Sequence, residues 1–132
     1  MPPSRGDRIA DLDDHRRLVA GLGKLLSQRQ DPVEVVETHG ASVLLAGDRV
    51  YKIKKPLDLG FLDYSTLARR QQYCNEELRL NQRHAPALYL RVVNLTGYPD
   101  QPTIDGSGPV LDVAVEMARF ASGQRLYRVL AR

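Results

Sequence analysis

The stretch Val50-Tyr51-Lys52-Ile53-Lys54-Lys55-Pro56 decides how this chain is read. Side chains alternate along a strand, so Lys52 and Lys54 share a face with Val50 while Tyr51 and Ile53 take the other. Lysine is depleted in strands and is seldom buried without a partner. Two situations put lysines there. Either this face roofs a cleft and an ammonium reaches phosphate oxygens of a ligand, or the strand is a sheet edge whose lysines stand in water and block edge-to-edge pairing.

Upstream, residues 33–38 and 42–46 are β-rich, and two short connections, His39-Gly40-Ala41 and Gly47-Asp48, join them to the lysine strand as three successive antiparallel strands. Before them, residues 9–29 predict a helix from the stripe Ile9, Leu12, Val19, Leu22 and Leu26, with Asp31-Pro32 as its stop. Gly21 and Gly23 point to a kink or an early end. Downstream, Pro56 ends the strand and residues 57–64 form a loop containing Gly60. Ser65 or Thr66 caps a second helix over about residues 67–84, closed by Ala85-Pro86. Strands over 89–95 and 110–117 follow, separated by a polar loop from Thr96 to Pro109, and a helical pattern runs through Leu126, Val129 and Leu130.

The second helix carries a carboxylate in an apolar arc. With Leu67 at zero and ~100° per residue, Cys74 falls near 340°, Leu78 near 20° and Glu77 near 280°. Glu76 falls near ~180°, outside that arc. A carboxylate on a packed helix face needs a cation, and the preceding strand offers Lys52. The alternative is a solvated Glu76/Glu77 pair with Arg79 and Arg83 as counter-charges.

Composition sets limits. The chain has 132 residues, 42% hydrophobic and 27% charged, enough for one domain with a real core. Its 19 Lys+Arg and 16 Asp+Glu are interspersed, and aromatic residues make up 6% with no Trp, which argues against a nucleic-acid partner. The lone Cys74 excludes an intramolecular disulfide and any multi-Cys zinc site. His15, His39 and His84 suggest no metal triad, and no serine lies in a nucleophile elbow. With no apolar run of membrane length and no secretory leader, the expectation is a cytoplasmic protein without a membrane partner.

The blocks Glu37-Thr38-His39, Gly47 through Pro56, Gly60-Phe61-Leu62-Asp63-Tyr64-Ser65-Thr66-Leu67 and Cys74 through Asn81 together resemble the aminoglycoside-phosphotransferase-like kinases. They most resemble the bacterial branch in which such a domain precedes a P-loop kinase-like ATPase domain. The resemblance spans about residues 33 to 130. It implies an α+β fold, the protein-kinase-like small lobe: a five-stranded antiparallel sheet with one inserted helix, here preceded by an N-terminal helix. The implied organisation is an N-terminal helical segment (1–31), the small lobe (32–120) and the start of an inter-lobe helix (121–132).

The resemblance also implies roles. Lys52, with Lys54 as the alternative on the same face, matches the lysine that binds the α/β-phosphates of ATP. Glu77, or else Glu76, matches the helix glutamate that orients it. Gly40 and Ser42 sit where a phosphate-covering loop lies, although His39-Gly40-Ala41-Ser42 departs from the family's glycine-rich pattern. Met117, Ala118, Arg119 and Phe120 resemble the inter-lobe segment whose backbone binds adenine, and Gly123 with Leu126-Tyr127 resembles the turn and helix after it. The family's catalytic His-Gly-Asp loop and its Mg²⁺-binding aspartate have no counterpart here. His39-Gly40 is followed by Ala41 and precedes the lysine strand. The expectation is the ATP-binding half of a phosphotransferase acting on a small hydroxylated molecule, inactive without a large lobe that holds most of the Mg²⁺. The competing expectation is a pseudokinase-like or small basic binding module.

Overall fold

The computed structural model describes residues 9–29 and 32–119. In chain order these form α1 (Leu12–Gln28), β1 (Val33–Glu37), β2 (Ala41–Ala46), β3 (Arg49–Lys54), α2 (Leu67–Gln82), β4 (Tyr89–Tyr98), β5 (Gln101–Ile104) and β6 (Val110–Ala118). The fold is α+β, with one antiparallel sheet in the order β1-β2-β3-β6-β4-β5. Phe120 and the pattern from Gly123 onward, with the boundaries expected at 31/32 and 120/121, lie outside the described residues. Among those described, no helix is long and apolar enough to cross a membrane.

Period-two alternation splits the core into two layers. Leu44, Ala46, Tyr51 and Ile53 pack with Leu18, Leu22 and Leu26 of α1. Val43, Leu45 and Val50 pack with Cys74 of α2 and with Val113, Val115 and Met117 of β6. Because β3 lies between β2 and β6, its lysines are not on an edge strand, and the water-facing reading of them is ruled out.

The α1 helix begins at Leu12 rather than at residue 9 because the Asp11 carboxylate caps it, accepting from the Asp14 N–H at 2.8 Å. Ile9 instead runs alongside the sheet and donates its N–H to the Leu111 carbonyl at 3.1 Å. The buried stripe is His15, Leu18, Leu22 and Leu26, with Leu12 and Val19 only partly covered. Gly21 does not end the helix, which runs on to Gln28. It lets the β4–β5 turn approach so closely that a Cβ would stand 2.7 Å from the Pro99 carbonyl oxygen.

The expected five strands are six. Residues 96–104, dense in turn formers, fold back as a hairpin in which Thr96–Tyr98 pair with Gln101–Thr103. Pro102 is tolerated because β5 is an edge strand, where its missing N–H breaks no ladder.

One buried ion pair ties the layers together. Arg70 of α2 and Asp112 of β6 are both fully buried, with Arg70 Nε donating to Asp112 Oδ1 at 3.0 Å. The other guanidinium nitrogens donate to the Tyr64 carbonyl at 2.9 Å and the Ile9 carbonyl at 2.6 Å. Asp112 Oδ2 has no hydrogen-bond partner among the described residues.

Candidate functional site

The β3 lysines and the α2 glutamate converge. Thr66 caps α2 by accepting from the Arg69 N–H, and this phase of the helix turns Glu77 inward beside Cys74. Lys54 Nζ donates to Glu77 Oε1 at 2.6 Å, and Lys52 Nζ to Oε2 at 3.5 Å. Their side chains are 5% and 8% exposed, and that of Glu77 is 15% exposed. Glu76 instead pairs with Arg79 on the solvated face. Lys54 is thus the tighter partner, although Lys52 was the first candidate for this role. The Lys54 ammonium also lies over the Tyr64 ring, 5.1 Å from its centroid, and Tyr73 meets Tyr64 edge-on at 5.2 Å.

The electrostatics follow from two cations sharing one anion. Burial lowers the Lys52 pKa, with Glu77 pulling the other way and Lys54 adding to the depression. Burial also works against Lys54, but Glu77, with Cys74 and Tyr64, outweighs it and leaves that pKa raised. Burial opposes ionisation of Glu77, yet the two lysines together hold its pKa below the ordinary value. With all three groups ionised, the cluster keeps one positive charge that no other carboxylate among the described residues pairs with. Burial pushes the adjacent Cys74 thiol up to about 12, so it is held as the neutral thiol at neutral pH rather than as a nucleophilic thiolate.

A cavity of 230 Å³ opens onto this cluster, lined by Lys52, Lys54 and Glu77 together with Leu59, Phe61, Leu62 and Tyr64. Gly40 and its neighbours His39 and Ala41 close one wall. Gly40 also accepts a 2.8 Å hydrogen bond from the Lys55 N–H. A second cavity, of 290 Å³, reaches the same lysines from the side of Tyr73, Leu80 and Asn81.

Ser42 does not join them. Its register partner is Ile53, so alternation turns it to the α1 side, away from the lysines. There its hydroxyl donates to the Glu37 carboxylate, at 2.9 Å for Oε2, and meets His15 Nε2 at 2.7 Å. With the hydroxyl proton given to Glu37, Nε2 is the donor in that second bond. His15 Nδ1 is then a bare acceptor, with no partner among the described residues. The structure thus does not bring Ser42 together with Lys52 and Lys54.

The adenine-binding expectation is also restricted. The Met117 side chain is fully buried in the α2-side core. The Ala118 N–H donates to the Leu88 carbonyl at 2.8 Å and the Arg119 N–H to the Asp48 carbonyl at 2.9 Å. Both donors are committed to the protein. Among the described residues, no three His, Cys, Asp or Glu side chains are grouped to hold a metal ion.

Sequence reasoning missed the Arg70–Asp112 pair, although the signal was present. Arg70 lies seven residues before Glu77, so it shares the same packed face of α2.

Comparison with known proteins gives relatives without an assigned activity. Proteins of Mycobacterium tuberculosis (strains H37Rv and CDC 1551) and Mycobacterium bovis, described as uncharacterized, are each 39% identical over 94 residues. The aligned stretch covers 71% of this chain and 17% of each relative, so the chain spans under a fifth of the length of the curated relatives it matches. No family model and no solved structure matches the chain.

Proposed function

We propose that this chain grips the phosphates of ATP as the small lobe of an aminoglycoside-phosphotransferase-like kinase, within a longer protein that phosphorylates a small hydroxylated molecule. The observation that carries the reading is the 2:1 ratio of Lys52 and Lys54 to Glu77 in a half-enclosed cavity. A buried charge without a counter-ion is costly, so the residual positive charge favours an oxyanion ligand. Glu77 holds both ammoniums in place before the ligand arrives, which lowers the ordering cost of binding. ATP supplies the transferable phosphoryl group. The catalytic base and the Mg²⁺ ligands are assigned to a large lobe elsewhere in the parent protein, with a P-loop ATPase domain as a further partner.

A titration of the full chain with MgATP and with tripolyphosphate tests this. Lys52→Met and Lys54→Met keep the aliphatic stem and remove the charge. Each should weaken binding of both ligands by roughly tenfold or more, since a charge-assisted contact contributes ~1.5–3 kcal/mol. Unchanged affinity in both variants, with a native circular dichroism spectrum, would overturn the assignment.

The committed N–H groups of Ala118 and Arg119 favour a second reading, a polyanion-binding module that makes no adenine contact there. Equal affinity of the wild type for tripolyphosphate and ATP would select it.

A further inference from the structure

We infer that Phe61 is a ligand-contacting residue, and that the lysine cavity takes an organic phosphate whose planar, weakly polar body lies against the residue 58–63 turn. This rests on the lysine pair being a phosphate site, as proposed above. Phe61 is 79% exposed, beyond every other exposed large hydrophobic side chain among the described residues. It is nevertheless presented by an ordered turn. Asp58 and Asp63 form an isolated bridge, Leu59 N–H donates to the Leu62 carbonyl at 2.7 Å, and Gly60 N–H donates to the Asp58 carboxylate at 2.9 Å. Gly60 sits at the tip with φ +88°, a conformation that suits glycine and lets the chain reverse there. At the base, Tyr64 N–H donates to the Leu57 carbonyl at 2.8 Å.

The turn supplies Leu59, Phe61 and Leu62 to the same cavity that Lys52 and Lys54 line. The lining is therefore mixed, with cations supplied by the sheet and apolar side chains by the turn. An inorganic phosphate chain would use only the cations. A ligand with an anionic head and a planar body uses both. The cavity of 230 Å³ is smaller than the ~300–1,000 Å³ that encloses a whole small-molecule ligand, so part of the ligand must project past the rim, where Phe61 stands. The N–H groups of Ala118 and Arg119 are already committed, so those two donors are not what would hold the planar body.

The test compares Phe61→Ala and Phe61→Leu with wild type, measuring ATP and tripolyphosphate affinity by calorimetry on the full chain. Wild type should prefer ATP. Loss of a base–aromatic stack is expected to weaken ATP binding by about tenfold in Phe61→Ala and to leave tripolyphosphate unchanged. Phe61→Leu should fall between the two. Unchanged ATP affinity in Phe61→Ala, or an equal loss for both ligands, overturns the inference while the lysine assignment stands. Binding of neither ligand to wild type removes both. Equal wild-type affinity for the two ligands removes the role of Phe61 alone.

Discussion

At the scale of single residues, two buried groups titrate in opposite senses over the same pH range. Burial lowers the His15 pKa from 6.5 to about 4, against the pull of nearby Glu37 and with Lys55, Arg70 and Arg16 assisting. Burial raises Asp112 from 3.8 to about 6 in spite of Arg70 and the Val113 N–H. For His15 the unfolded state binds the proton first, so its contribution to stability falls as pH drops from about 6.5 to about 4. For Asp112 the folded state binds the proton first, so its contribution is complete below the unfolded value of 3.8 and is lost as pH rises through about 6. The two slopes offset one another, each limited to ~1.4 kcal/mol per pH unit. Asp112→Asn should steepen the loss of stability on acidification from pH 6 to 4, and His15→Gln should flatten or reverse it. Denaturant midpoints of the three proteins across that range check this; parallel curves would mean that neither group titrates as described. The inward side of Glu77 was legible because a charged residue in an apolar arc violates the helical pattern. The same violation by Arg70 was equally legible, but its partner Asp112 lies 42 residues away and leaves no local signal.

Among the elements, α1 contains two glycines that a propensity argument treats alike and the structure separates. Alanine is favoured over glycine in a helix interior by ~1 kcal/mol. At Gly23 a Cβ would meet only a Leu44 methyl at 4.0 Å, an ordinary contact, so Gly23→Ala should raise stability by up to ~1 kcal/mol. At Gly21 it would meet the Pro99 carbonyl oxygen and Pro102 Cδ at 2.7 Å, backbone and ring atoms that cannot turn aside. Gly21→Ala should therefore destabilise by ~1–3 kcal/mol in spite of the propensity gain. Thermal melts of the two variants decide it, and equal shifts would show that the close approach has no energetic weight. Strands β1, β2, β3 and β6 and both helices were readable because their periodicity is strong. The β5 strand was not, since Gly97, Pro99, Asp100 and Pro102 carry turn chemistry and only pairing across the hairpin makes residues 101–104 extended.

For the whole molecule, neither the strand order nor the strand count could be taken from local pattern, because β6 enters between β3 and β4 only through pairing across the sequence. The α+β class and the convergence of β3 with α2 followed from residues close in sequence. The side of the sheet that Ser42 faces needed the register of β2 against β3, and its partner His15 comes from α1, 27 residues earlier. Long sequence separations have a kinetic consequence at Arg70. Its guanidinium is satisfied only when Ile9, 61 residues away, and Asp112, 42 residues away, have both arrived. Before these segments are seated, an assembling chain gains from this side chain only its bond to the Tyr64 carbonyl, so the clamp is expected to close after the rate-limiting step. Arg70→Met should leave refolding nearly as fast as wild type and accelerate unfolding by roughly a hundredfold or more, given the ~3–5 kcal/mol cost of breaking a buried pair. Stopped-flow chevrons would read both arms, and a refolding arm slowed as much as unfolding is accelerated would place the clamp in the nucleus instead. With an unchanged refolding arm, Arg70 is a late latch, setting how long the native state persists rather than how quickly it is reached.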